Sequence, residues 1–329
     1  MVGLTHVAMR ESVRFYLPEG AETIWPTEML SSYKVPKQKL AQVSMTKFAD
    51  GESNLVPQIL GNEEVPIQKT IKVLEDWGVV GIDINMGCPV KKALKHNYGV
   101  SLMGDPDYAS EVVGYAVKAS KLPVSVKFRA GIQNDREVLK NFALGIQKAG
   151  ASWVTLHPRT SAQKRKGKSD WGQIKFLKEI LDIPVIGNGD VQNIQDYNLM
   201  KESTGCDMVM VGRGLTIRPW MLWQLGEDMG MDAPAGLKGL KAPRDGYEEG
   251  AEFGRHLYRF VNFLYEYFDE KEAMKQFRFY LRVSHVWLMF GHDLARKSTV
   301  CKSQADCLAL IEDFFSRPQK ISQSTWGAY

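Results

Sequence analysis

The sequence predicts an α/β chain built on an eight-stranded parallel barrel, a (β/α)8 or TIM barrel, followed by a small all-helical unit. Three observations carry this. First, short β-branched runs alternate with amphipathic helical stretches over the first two thirds of the 329 residues, in units of roughly 25–35 residues, which implies a parallel sheet. Second, the strands are short and apolar, as expected where both faces are covered. Third, polar residues sit at the carboxyl ends of successive strands: Gln58, Asn85 with Cys88, Lys127 with Arg129, His157 with Arg159, Asn188 with Asp190, and Gly212 with Arg213. Residues at the ends of many strands converge only if the sheet closes, which favours a barrel over a doubly wound open sheet.

The elements follow in order. Residues 23–29 and 55–60 read as strands, and 66–77 as a helix with Ile67, Ile71 and Leu74 on one face. A strand at 79–85 precedes a helix at 105–120, with Asp105 as N-cap and Pro106 in its first turn. Strands at 123–129, 153–157, 184–188 and 207–212 alternate with helices at 135–149, 170–181, 194–202 and 218–227. That makes seven strands where a closed barrel needs one more. The stretch 226–250 is rich in Gly and Pro and reads as a linker. Beyond it, 249–317 is helical in pattern, with stripes at Phe253, Leu257, Phe260, Val261 and Leu264, and at Phe279, Val283, Val286 and Trp287. The expected division is a barrel over 1–235 and a helical unit over 245–329.

Composition narrows the classes. Hydrophobic residues make up 44% and charged residues 24%, which excludes a disordered or collagen-like chain. The apolar runs are far too short to span a bilayer, and no basic flank leads into an apolar stretch at the N-terminus, so no membrane span or signal peptide is expected. Cys88, Cys206, Cys301 and Cys307 lack paired spacing, which argues against a disulfide scaffold, structural zinc or any other metal centre. A reducing cytoplasm is the expected compartment. The net charge of +4 is mild. The basic residues cluster, however, at Arg159, Lys164, Arg165, Lys166 and Lys168, and again at Lys275, Arg278, Arg282, Arg296, Lys297 and Lys302. A polyanion is a natural partner for such clusters.

Chemistry concentrates at the strand ends. In Asn85-Met-Gly-Cys-Pro89, Gly87 permits a sharp turn and Pro89 stops the strand, leaving Cys88 at the barrel mouth. A thiol is mostly protonated at neutral pH, so Cys88 can donate a proton as well as act as a nucleophile. Lys127 and Arg129 alternate onto one side of their strand, the interior side in a barrel, where two cations call for an anionic or electron-rich partner such as a phosphate or reduced flavin. His157 occupies the matching place one strand on and could bond a heterocycle or move a proton. Ile186-Gly-Asn-Gly189-Asp190 and Val211-Gly-Arg-Gly214 end the last two strands, where glycine-freed amides and Arg213 suit a phosphate.

Together, Asn85-Met-Gly-Cys-Pro-Val-Lys-Lys92, Val126-Lys-Phe-Arg129, Leu156-His-Pro-Arg-Thr160, Gly187-Asn-Gly-Asp190 and Val211-Gly-Arg-Gly214 resemble the motifs of the tRNA-dihydrouridine synthases, in that family's order. Gly3-Leu-Thr5 and Glu28-Met-Leu-Ser-Ser32 resemble its N-terminal segments. The resemblance implies FMN-dependent reduction of a tRNA uridine to 5,6-dihydrouridine with NADPH as electron donor, by a monomer with a helical tRNA-binding unit. It implies that Cys88 protonates C5 of the uracil while hydride from reduced flavin reaches C6. It further implies that Asn85, Lys127 and Arg129 contact the uridine, that Arg159, Lys164, Arg165 and Lys166 lie towards the tRNA, and that Gln58, Lys127 and His157 hold the flavin ring. Asn188, Gly189, Asp190, Gly212 and Arg213 would hold its ribityl phosphate, and Met1 would mark the end of an Ala-Pro-Met motif that touches the flavin.

Two departures stand out. Met1-Val-Gly-Leu-Thr5 begins where that motif ends, so the family's first strand is missing from the sequence and the natural start is expected upstream by roughly ten residues. After Thr160 the family often carries an aromatic turn, whereas here Gln163 is followed by Lys164-Arg-Lys166. Two rivals remain: an FMN-dependent dihydroorotate- or dihydropyrimidine-type dehydrogenase acting on a free base, and a non-catalytic tRNA-binding barrel.

Overall fold

Each strand pairs with its neighbour in sequence. In this computed structural model, which describes residues 1, 3–43, 45–164 and 166–323, the strands are β1 (Trp25–Ser31), β2 (Leu55–Leu60), β3 (Ile82–Met86), β4 (Val124–Arg129), β5 (Trp153–His157), β6 (Val185–Asn188) and β7 (Met208–Met210). They form one sheet in the order β1 to β7, all parallel. Among the described residues no eighth strand joins β7 back to β1, so the sheet curls without closing. Arg165 of the basic loop lies outside the described residues.

Helices connect the strands and cover the outer face: α1 (Val7–Arg14) before the sheet, then α2 (Glu64–Asp76), α3 (Lys91–Lys95), α4 (Pro106–Ala119), α5 (Arg136–Lys148), α6 (Gly172–Ile180), α7 (Ile194–Thr204), α8 (Arg213–Ile217) and α9 (Met221–Asp228). Their starts are written in the sequence. The Asp105 side chain accepts from the Tyr108 amide ahead of Pro106, and Asp135 accepts from the amides of Glu137 and Val138. Gly205 ends α7 in the left-handed region at φ 65°, which glycine reaches without a Cβ penalty.

The strands are not apolar on both faces, as the sequence reading had them. Ile84, Val126, Phe128, Val154 and Leu156 point outwards and are fully buried under the helices. The alternate residues Gln58, Asp83, Ser125 and Thr155 point inwards and line the interior. That inner face bounds a cavity of about 660 Å³ reaching the seam between β7 and β1, with Trp25, Val56, Ile186, Met208 and Leu222 in its wall.

The helical unit comprises α10 (Gly246–Tyr267), α11 (Glu270–Ser284), α12 (Gly291–Lys297) and α13 (Gln304–Phe315). α10 starts inside the stretch read as linker, because Asp245 and Glu248 form a capping box there. Its buried face carries the predicted Phe253, Leu257, Phe260, Val261 and Leu264. The predicted stripe on α11 is corrected: Phe277, Tyr280, Leu281 and Ser284 face the core, while Phe279 and Val283 are only half-buried. The unit is keyed to the barrel by buried polar groups. Ser12 Oγ lies 3.0 Å from His256 Nδ1, His256 Nε2 lies 3.1 Å from Tyr280 Oη, and Tyr280 donates to the Thr216 carbonyl at 2.7 Å. Arg218, fully buried, pairs with Glu249 at 3.2 Å. Among the described residues no helix is long and apolar enough to cross a membrane.

Candidate active site

The Cys88 turn is built by Asn85. At the end of β3 its Oδ1 accepts from the amides of Gly87 (3.1 Å) and Cys88 (2.9 Å), the side-chain turn that asparagine favours. Its Nδ2 donates to Gln58 Oε1 at 2.7 Å and approaches the Met29 sulfur at 3.3 Å. Gln58 in turn donates to Asp83 at 2.6 Å, and Ser125 Oγ donates to the other Asp83 oxygen at 2.7 Å. Both ends of the Asn85 amide are thus engaged within the protein. Cys88 is buried with Ala93 and Tyr98, against Met29 and Leu60. Gly99 lies beneath it at φ 64°, where a Cβ would come within 2.7 Å of the Cys88 carbonyl oxygen, so only glycine fits.

The cations line the wall beside this turn. Burial holds the Lys127 ammonium down to about 8, with Arg129 adding to the effect and Asp83 opposing it. Arg129 braces two loops: its Nε donates to the Gly87 carbonyl at 3.0 Å, and Nη1 donates to the carbonyls of Lys164 (3.0 Å) and Thr160 (3.3 Å). His157 is pushed down to about 2, first by burial and then by Lys127, Arg129, Arg159 and Arg213, so its imidazole is neutral.

Arg159 and Asp190 face each other. They form an ion pair at 2.7 Å, with side chains 2% and 4% exposed, and Asp190 also accepts from the Ser169 amide at 2.6 Å. The pair fastens the basic loop to the end of β6. At the same rim Asn188 Nδ2 donates to the Met210 carbonyl at 2.6 Å, spanning β6 and β7. Gly189 sits at φ 114°, where a Cβ would lie 2.5 Å from Ser169 Oγ and 2.8 Å from His157 Cδ2. Trp171 Nε1 donates to its carbonyl at 3.0 Å. Gly212 faces the Met1 sulfur, which lies 3.4 Å from where its Cβ would be, and Arg213 opens α8. Ser169 Oγ and Arg159 Nε are buried with no hydrogen-bond partner among the described residues.

The rest of the predicted set lies outside this cluster. Lys164 and Lys166 are exposed on the loop after β5. In the C-terminal cluster Arg278 donates to the carbonyls of Ser298 (3.3 Å) and Cys301 (2.7 Å), and Arg296 pairs with Asp293 at 2.5 Å, while Arg282 and Lys302 are exposed. Sequence reasoning missed Asp83, Met29, Gly99 and Trp171. Asp83 carried a signal: it stands two residues before Asn85, which puts both on one face of a strand.

A parallel α/β sheet whose carboxyl-end rim gathers a thiol, two bridging amides and several cations belongs to the barrels that work at their strand ends. The family model described as "Dihydrouridine synthase (Dus)" matches residues 1–285, and the chain belongs to that family. It is 35% identical to a protein of Rhizobium leguminosarum bv. phaseoli named "Probable tRNA-dihydrouridine synthase", over 67% of this chain and 68% of that one. A protein of the same name from Rickettsia bellii is also 35% identical, over 68% of each chain. One from Mycobacterium tuberculosis is 30% identical over 94% of this chain and 79% of its own.

Proposed function

We propose that this chain reduces a uridine of tRNA to 5,6-dihydrouridine, with FMN as its flavin and NADPH as the electron donor. The observation that carries the reading is the Cys88 turn, held by Asn85 beside the Lys127, Arg129 and His157 wall. The residues suit FMN. Gln58, Lys127 and the neutral His157 offer polar contacts to a flavin ring, and Gly189, Gly212 and Arg213 suit its phosphate. The buried Ser169 Oγ beside Gly189, without a hydrogen-bond partner among the described residues, supports a polar group resting there.

When bound and reduced, FMN supplies the hydride for C6 of the uracil. Cys88 Sγ holds the proton for C5. Hydride addition leaves enolate charge on the uracil carbonyl, and Lys127 stabilises it from the wall. Arg129 keeps the Cys88 turn and the basic loop in fixed relation through its bonds to Gly87 and Lys164. The uridine must leave its stack to reach this rim. Lys164 and Lys166 meet phosphates there, as do Arg282 and Lys302 on the helical unit.

The test is nucleoside mass spectrometry of tRNA incubated with the protein, FMN and NADPH. New dihydrouridine is expected. No product from a yellow, NADPH-oxidising protein would favour a free-base dehydrogenase. A colourless protein that takes up no FMN would favour a tRNA-binding scaffold.

A further inference from the structure

A carboxylate inside the sheet is out of place. Barrel interiors are filled mainly by branched apolar side chains, yet Asp83 sits on the inner face of β3, 7% exposed. Burial pushes its carboxyl up, so the fold works against its charge. What it touches accounts for its presence. One oxygen takes the Gln58 amide and the other takes the Ser125 hydroxyl. In the β3–β4 register, Asp83 stands opposite Ser125 while Asn85 stands opposite Lys127, so Asp83 is the diagonal neighbour of Lys127 on the inner face. A single anion therefore sits at the foot of two lines. One runs through Gln58 and Asn85 to the Cys88 amide, and the other runs through space to the Lys127 ammonium.

We propose that Asp83 is a positioning residue that orients the Gln58–Asn85 chain holding the Cys88 turn and keeps Lys127 charged. Its importance for turnover rests on the functional reading above, while its action on Lys127 does not. The first line fixes the amide orientations. Asp83 can only accept when ionised, so Gln58 turns its NH2 towards it and its oxygen towards Asn85, and Asn85 presents its own oxygen to the turn. The second line sets charge. The groups facing Lys127 are Asp83 from β3, Arg129 from its own strand, His157 from β5 and the Met1 amino group. Of these four groups Asp83 is the anion.

Competitive labelling of Lys127 by acetic anhydride across pH, read by peptide mass spectrometry, tests the second line without cofactor. The native chain should give a midpoint near about 8. Asp83→Asn should lower it by at least about one pH unit, the usual effect of a close opposite charge. Ser125→Ala, which removes a hydrogen bond but no charge, should leave it in place. An unchanged midpoint in Asp83→Asn, or an equal shift in Ser125→Ala, would overturn the proposal. Should Asp83→Asn not fold, Asp83→Ser makes the same removal with room for a water. The first line is read by turnover: kcat for dihydrouridine formation should fall at least about tenfold in Asp83→Asn, with KM for tRNA within about twofold. A raised KM at unchanged kcat would overturn that half. A native chain that makes no dihydrouridine would sink the functional reading and leave the labelling result standing.

Discussion

The wall from β2 to β5 and the seam between β7 and β1 are built from the same kind of strand, yet they differ in nearly every respect. On the wall, outward side chains are fully buried and inward ones are joined by hydrogen bonds from Ser125 through Asp83 and Gln58 to Asn85. At the seam, β7 is three residues long, Met208 is 38% exposed, and among the described residues no ladder joins β7 to β1. The wall spends its backbone and side-chain polar groups internally, which makes it a rigid mount for chemistry. The seam leaves strand edges unpaired beside a cavity. Precision in this molecule is local to the strands that carry the thiol and the cations.

The sharpest break in that comparison is chemical. Cys88→Ala should lower dihydrouridine formation by about 10²–10⁴-fold, the range for a general acid, with FMN affinity unchanged by fluorescence titration. Intact turnover would remove Cys88 from the acid's place. Next comes packing. Phe128→Ala, on the buried outer face of the wall, should cost about 3–5 kcal/mol in urea unfolding. Met208→Ala at the seam should cost less than about 1 kcal/mol. Equal losses would mean that the seam is as well packed as the wall.

Acid gives a smaller effect, and one that bypasses the seam, whose cavity lining contains no histidine. His6 and His256 are buried where α1 meets α10, and burial holds each down to about 3 from an ordinary 6.5. Each is neutral when folded, so the unfolded chain binds more protons as pH drops below 6.5. Stability should therefore be full above about 6.5 and fall towards about 3, by about 1.4 kcal/mol per pH unit for each histidine. A urea midpoint that stays flat from pH 6.5 to 4.5 would show both to be charged in the folded chain. The smallest effect belongs to the exposed loop. Charge reversal at Lys164, Lys166 and Lys168 should weaken tRNA binding and flatten its salt dependence by about one unit of slope for each lost phosphate contact. An unchanged slope would turn that loop away from the tRNA.

Much of this was legible in the residues. The strands at 55–60 and 153–157 appear at those bounds, because apolar runs ended by polar side chains leave little choice. The cap at Asp105 falls where its side chain predicted. α1 was not read, because its start is capped by the ring of His6, which accepts from the Met9 amide, and not by one of the usual capping residues. Asp83 was not read because one acid within an apolar run makes no motif; its meaning lies in Ser125 on the next strand and Gln58 on the previous one. Arg159 shows the same limit. Its charge is plain in the sequence, but the partner that claims it, Asp190, lies 31 residues away.

The order of the sheet has a consequence for how the chain is made. Among the described residues every strand pairs only with its neighbours in sequence, so these seven strands can pair one unit at a time as the polypeptide emerges, with none of their ladders waiting for a distant partner. The N-terminal helix is the opposite case. Ser12 and its partner His256 are 244 residues apart, and Tyr16 and Glu252 are 236 apart. α1 can therefore dock on α10 only after the helical unit has been made. Until α10 has left the ribosome, the face that α1 turns towards it stays uncovered, and a chaperone that shields it would act through most of the synthesis of these residues.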